Sequence, residues 1–371
     1  MFILMGALFA GNQILVNNIT ISFGATPVQM GYMVSALYGG SMIMVPFFGE
    51  LAEHTGKRIA GAIVSIFVGT GALIVGFAPN VPVAVAGYII YSAGFGGFES
   101  NMLALTSDCN GESASSVINL LQAGFSGGAV LSPLLIRLII PEPQYRAAYL
   151  VITAIYAALA AYFFSARSID AFVIRNESLR GIAIVHLLRD PVMLAFMVSM
   201  MVFVGMESTC TYWISGYFNW QGYTVFSGYA LSLYWLSSIA GRIVASRMKS
   251  PNRLLVICLL TSSANALALI WLPGILWKSI AFLMMGICNG PLYGGLSLLG
   301  GTLYPENSAA AFALMIFSGA FGGMVFQPLI SRFVGSGTHN AVFYMVSFAL
   351  ASVAVMLFFI FRYKASKESI S

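Results

Sequence analysis

Tyr91-Ser-Ala-Gly-Phe-Gly-Gly-Phe-Glu-Ser-Asn101 places a carboxylate, Glu99, inside an apolar run long enough to cross a bilayer. A charge at membrane depth costs at least a few kcal/mol, so such a residue usually turns into a helix bundle and marks a substrate or ion path. The bland alternative is a protonated, hydrogen-bonded structural acid. Gly94, Gly96 and Gly97, just before it, loosen the helix or let a neighbour pack closely. The stretch predicts a transporter built around Glu99.

Composition carries the same message outward. Of 371 residues 59% are hydrophobic and only 8% charged, too apolar a chain to hide in a water-soluble core. The apolar runs are long and continuous rather than alternating, which selects membrane helices over a barrel. Cys109, Cys210, Cys258 and Cys288 show no paired spacing and suggest neither a disulfide framework nor a metal site. The net charge of +5 comes from basic residues gathered in the loops of one side, a topology signal rather than a nucleic-acid footprint.

Twelve spans of about 20 residues are expected. They cover about 2–22, 28–48, 59–78, 81–105, 114–139 and 146–165, then about 190–214, 224–246, 253–272, 277–300, 308–333 and 340–361. The first is read as a retained helix, because no small-residue cleavage site precedes polar sequence; the lack of a basic tail before it leaves room for an upstream start. On the side of the termini lie Lys57, Arg58, Arg167, Arg175, Arg180, Arg189, Arg242, Arg247, Lys249, Arg253, Arg362, Lys364 and Lys367. On the other lie only Arg137, Arg146, Lys278 and Arg332. Both termini are therefore expected in the cytoplasm, with the chain in the cell membrane, the inner membrane if the source is a bacterium.

A polar linker, 166–189, divides a first six-helix bundle, 1–165, from a second, 190–371. The halves are related. Gly124-Phe-Ser-Gly-Gly-Ala-Val-Leu-Ser-Pro-Leu-Leu-Ile-Arg137 in the fifth span is matched by Gly319-Ala-Phe-Gly-Gly-Met-Val-Phe-Gln-Pro-Leu-Ile-Ser-Arg332 in the eleventh, both reading G-x-x-G-G-x-x-x-x-P-L-x-x-R. Duplicated halves of this kind predict a substrate site near the bilayer midplane and alternating access by rocking of one half against the other.

The loop after the second span, Gly49-Glu-Leu-Ala-Glu-His-Thr-Gly-Lys-Arg58, resembles the signature G-x-L-A-D-R-x-G-R-R of the major facilitator superfamily. Acidic Glu53 at a helix end and basic Lys57 and Arg58 past a glycine turn can lock helix ends together as a gate; His54 stands where the signature has Arg. Gly241-Arg242, with the basic residues after it, resembles a degenerate copy, which makes Arg242 a fourth gating candidate. Further pieces resemble the fucose:proton symporter-like branch of that superfamily: Asn12-Gln-Ile-Leu-Val16, Gly97-Phe-Glu-Ser100, Asn119-Leu-Leu-Gln122, Val204-Gly-Met-Glu-Ser208 with Trp213, Leu231-Ser-Leu-Tyr-Trp235 and Tyr304-Pro-Glu306. The resemblance spans nearly the whole chain. It implies an all-α membrane protein of the major facilitator fold, twelve transmembrane helices in two pseudo-symmetric six-helix bundles, acting as a secondary transporter.

One departure matters. Gln13 stands where that branch has an Asp, and an amide cannot carry a proton. Proton coupling must then rest on Glu99 or Glu207, or be absent; Glu99 matches the acidic position of the fourth span, and Glu207 can equally be structural. The span assignment leaves no Lys or Arg at comparable depth to hold these acids ionised or to clamp an anionic substrate.

The remaining polar and aromatic residues in the spans suit a neutral polyol such as a monosaccharide. Asn12, Gln13, Asn17, Asn101, Gln122 and Asn289 offer amides for hydroxyls, while Tyr91, Trp213, Trp235 and Tyr293 offer flat faces for C–H surfaces. Each could instead serve interhelical hydrogen bonding or interfacial anchoring. The expected partners are a small-molecule substrate, protons and the lipid bilayer, with no cofactor, no metal and no nucleic acid, and the chain is expected to act as a monomer. An exporter of drugs or metabolites on the same fold is the nearest rival, and a receptor-like or structural role a further one. An enzyme is disfavoured by the scattered His54, His186 and His339, and the lack of a G-x-x-x-x-G-K-S/T loop argues against ATP as energy source.

Overall fold

A computed structural model describes the chain except residues 111–113, 142, 168–185, 247–250, 305–307 and 369–371; some helical side chains, those of Glu53 and Gln122 among them, also lie outside the description. Among the described residues twelve long helices follow one another. They are α1 Phe2–Phe23, α2 Pro27–Thr55, α3 Lys57–Phe77, α4 Val81–Asn110, α5 Ala114–Ile139 and α6 Arg146–Ser165, then α7 Pro191–Trp220, α8 Thr224–Ser246, α9 Pro251–Trp271, α10 Gly274–Leu303, α11 Ser308–Gly335 and α12 His339–Glu368. Several run past the expected spans, α2, α4 and α7 by about one to two turns, because a helix satisfies its own backbone and need not stop where hydrocarbon does.

Local chemistry fixes the joints. Gly24 takes a left-handed conformation (φ 58°) that ends α1, and Thr26 and Gln29 form a capping box that starts α2 with Pro27 in its first turn. Asp190 caps α7, its carboxylate accepting from the Val192 N–H at 2.8 Å. The Tyr304 hydroxyl, just past α10, donates to the other oxygen of Asp190 at 2.6 Å.

Among the described residues ten of the helices are apolar and long enough to cross a membrane, so this is a multi-pass membrane protein. Of the other two, α5 offers a shorter apolar stretch among its described residues, Ala123–Ile139, and α8 is diluted by serines and tyrosines that are used inside the fold. Ser227 Oγ of α8, for example, donates to the Ser215 carbonyl of α7 at 3.0 Å. Large side chains such as Leu138, Phe348 and Trp271 face outward, as a lipid solvent requires.

The chain divides into two compact units, Met1–Ser178 and Leu179–Ser371. The linker expected at 166–189 falls largely outside the described residues. In the first unit α1 packs on α5, α4 on α2 and α3, and α3 on α6; in the second α7 packs on α11, α10 on α8 and α9, and α9 on α12. The pairing scheme is the same, and small residues permit it. A Cβ on Gly128 of α5 would overlap the Ile3 carbonyl of α1, and one on Gly322 of α11 the Met201 carbonyl of α7. Such close approach is how helices gain contact when lipid is as apolar as they are. Lys278, counted from sequence among the loop charges, is buried: its Nζ donates to the Leu269 carbonyl at 2.5 Å, at the end of α9, and lies over the Tyr217 ring.

Candidate functional site

In the first unit the polar residues of α1 and α4 meet a tyrosine of α6. Asn12 Nδ2 donates to the Leu8 carbonyl (2.8 Å) and to the Tyr91 hydroxyl (2.9 Å), while the Tyr149 hydroxyl donates to Asn12 Oδ1 (2.8 Å). Tyr149 has given its only proton, so the 2.7 Å contact between Tyr88 and Tyr149 must have Tyr88 as donor. Every group here is neutral and all four side chains are buried. Asn12 is consumed by this network and orients Tyr91, whose own O–H finds no acceptor among the described residues. Gln13 is buried beside it on α1, and Asn17, one turn on, is partly buried with no hydrogen bond among the described residues.

Glu99 lies about two turns along α4 from Tyr91. It is partly buried, and no hydrogen bond or cation reaches its carboxyl group among the described residues. The glycines before it do what their spacing suggests. A Cβ on Gly96 would press on Ser41 of α2, and one on Gly97 on Phe48 of α2 and Val64 of α3, so α4 is drawn in tightly where the acid sits. Asn101, two residues on, turns to the α2–α3 joint, where Nδ2 donates to the Lys57 carbonyl at 2.9 Å and Oδ1 has no partner. At the same joint Arg58 Nη1 donates to the Phe164 carbonyl, 2.9 Å away near the end of α6. Glu53 and Gln122 cannot be placed in either group, since their side chains lie outside the description.

The second unit builds its polar chain differently. Ser262 Oγ of α9 donates to Asn289 Oδ1 of α10 (2.8 Å), Asn289 Nδ2 to the Tyr234 hydroxyl of α8 (2.9 Å), and Tyr234 to Glu207 Oε1 of α7 (3.1 Å). Arg242 is a correction to the sequence reading. The sequence counts it among the loop charges and leaves no basic residue near the acids; in the structure it lies within α8, its guanidinium in electrostatic range of Glu207 and its Nε donating to the Gly290 carbonyl at 3.2 Å. An arginine in a helix can turn its long stem inward once a carboxylate and a backbone carbonyl await it. Trp235 packs its ring edge-on to Tyr234 (5.5 Å), and Tyr293 is 37% exposed.

Trp213 stands apart from this chain. Its indole N–H donates to Gln327 Oε1 at 3.0 Å, and Gln327 Nε2 donates to Ser208 Oγ at 2.9 Å, which ties α7 to α11. The structure thus joins Asn12 with Tyr91, and Glu207 with Arg242 and Asn289. Tyr88, Tyr149, Tyr234, Ser262 and Gln327 are the partners that sequence reasoning missed. Two of them carried a signal: Gln327 precedes the proline of the repeated G-x-x-G-G frame, and Tyr234 sits in Leu231-Ser-Leu-Tyr-Trp235.

Residues 1–327 match the sequence model of the Major Facilitator Superfamily. Among curated proteins none matches the sequence. Among solved structures the chain resembles a single-residue variant of the E. coli fucose:proton symporter FucP, with 18% identity, 96% of each chain covered and a TM-score of 0.69. The nucleoside transporter NupG is similar over 97% of this chain and 99% of its own at 13% identity, TM-score 0.74. A variant of the peptide transporter POT is similar over 97% and 92% at 13% identity, TM-score 0.73. At these identities the likeness is one of fold.

Proposed function

Because the chain belongs to the Major Facilitator Superfamily, and is thus a secondary transporter rather than an enzyme, we propose that it moves a small neutral polyol, a monosaccharide, by alternating access coupled to protons through Glu99. The observation that carries this reading is the state of Glu99: a carboxyl group in a tightly packed part of a membrane helix, with neither a hydrogen bond nor a cation to keep it charged among the described residues. A carboxyl so placed is suited to take up and release a proton, the role that Gln13 cannot fill. Glu207, with Arg242 and Tyr234 on it, is suited to hold a charge in place.

The side chains best suited to take substrate hydroxyls are Tyr91, which has a proton to give, and Asn17, which has its amide. Gln13, buried on α1, and Tyr293, whose ring is partly exposed in the second unit, are further candidates. Asn12, Asn289 and Trp213 act by positioning neighbours. Asn101, Lys57 and Arg58 hold the α2–α3 joint, where a gate is expected. The split of basic residues along the chain supports a cell-membrane protein with cytoplasmic termini.

Uptake of labelled L-fucose, glucose and galactose into proteoliposomes, with and without an inward proton gradient, tests the proposal in wild type and Glu99→Gln. The expected outcome is gradient-driven accumulation that Glu99→Gln reduces to exchange alone. Saturable uptake indifferent to the gradient would overturn the proton coupling. No sugar movement would favour an exporter, and a Glu99→Gln variant unchanged in both flux and binding a receptor-like protein.

A further inference from the structure

Gly290 and Pro291 lie in the middle of α10, which runs through them as one helix. Proline has no N–H to offer the Ile287 carbonyl and its ring crowds that turn, so the helix bends most easily here. Three contacts from α8 meet at this point. Gly241 lies so close to the Ile287 carbonyl that a Cβ would overlap it, Arg242 donates to the Gly290 carbonyl at 3.2 Å, and Tyr234 accepts from Asn289 at 2.9 Å.

Arg242 and Tyr234 are also the two groups that converge on Glu207. The donor order follows from the carboxylate. Tyr234 has one proton and gives it to Glu207, so it can only accept from Asn289, which leaves Asn289 Oδ1 for Ser262. One charged group on α7 therefore sets the hydrogen bonds of α8, α9 and α10. From α8 Arg242 and Tyr234 face Glu207, from its own helix the Cys210 thiol, and from α10 Tyr293 acts through Arg242; among the described residues no titratable group of α11 or α12 does.

We propose that Glu207 governs a hinge in α10 at Gly290-Pro291. Ionised, it holds Arg242 and Tyr234 and through them clamps α10 at Asn289 and Gly290, just before the proline. Protonated, it releases Arg242 and weakens the pull on Tyr234, and α10 is free to bend. Tyr234 and Arg242 are positioning residues in this scheme. Its use in transport rests on the proton-coupled reading above, but its test does not.

Hydrogen–deuterium exchange of the purified chain in detergent, read by mass spectrometry over peptides covering 284–296 and corrected for intrinsic pH dependence, makes that test. Glu207→Gln is expected to speed exchange there about tenfold at alkaline pH, with wild type converging on it as pH falls and Glu99→Gln behaving as wild type. Tyr234→Phe removes only a hydroxyl from a ring stacked on Phe282 and is expected to give about a threefold rise. Equal exchange in wild type, Glu207→Gln and Tyr234→Phe at every pH overturns the hinge. Should Glu207→Gln fail to fold, unchanged protection in both Tyr234→Phe and Arg242→Gln overturns it equally. A hinge response alongside proton-indifferent uptake overturns only the coupling reading.

Discussion

The same helix crossing occurs in both halves with different consequences. In the first unit Gly40 of α2 lies against the Ile89 carbonyl of α4; in the second Gly241 of α8 lies against the Ile287 carbonyl of α10. Beyond the shared glycine the two diverge. Ser41 follows the first and Arg242 the second, and four residues past the isoleucine stand Ala93 and Pro291 respectively. The first polar chain closes on neutral tyrosines and an asparagine, the second ends on a carboxylate. Close backbone approach, which the fold cannot do without, is kept in both copies, while charge and bendability differ.

Leucine at the shared glycine tests whether the crossings are equivalent. Gly40→Leu and Gly241→Leu should each cost about 3 kcal/mol or more, since a side chain would have to displace helix backbone. Thermal unfolding in detergent would show the loss as aggregation or a large fall in Tm. A leucine tolerated in one unit alone would break the equivalence.

Next in size is the neutral chain of the first unit. Asn12→Leu leaves the buried Tyr91 and Tyr149 hydroxyls without their shared partner and should cost about 2 kcal/mol. Ser262→Ala, at the far end of the charged chain, should cost about 1 kcal/mol. Chemical unfolding of the two variants side by side sharpens the comparison; a larger loss from Ser262→Ala would mean that the second chain, not the first, is the structural one. Smallest is Trp213→Phe, which gives up the indole bond to Gln327 for about 0.6 kcal/mol, the average for such bonds within membranes, and should leave uptake of any transported sugar within about twofold of wild type, provided the residue only positions α7.

The fold was legible because lipid imposes one rule on every span. Length, apolarity and the repeated G-x-x-G-G frame suffice for the helices and for two related halves. Even so, the frame is used with a shift: Gly128 meets α1 in the first unit, whereas in the second Gly322, the counterpart of Gly127, meets α7. Glu99 was legible because an acid in an apolar run is rare, and its glycines announced close packing. The networks were not. Tyr88, Tyr149 and Asn12 are separated by 61 and 137 positions along the chain, and a tyrosine in a span reads as readily as an interfacial anchor. Arg242 was misplaced for a related reason: hydropathy treats arginine as a boundary, and only its carboxylate partner on another helix explains its position inside one.

Lys278 offers a last consequence. Topology rules count each basic residue as though it were a free charge facing water, yet the Lys278 ammonium is occupied by the carbonyl end of α9 and by a tyrosine ring. As a staple it belongs to the fold rather than to a loop. Arg242, beside Glu207 within α8, leaves the other side of the count in the same way. The fold thus withdraws one basic residue from each side, and the expected asymmetry keeps its sign.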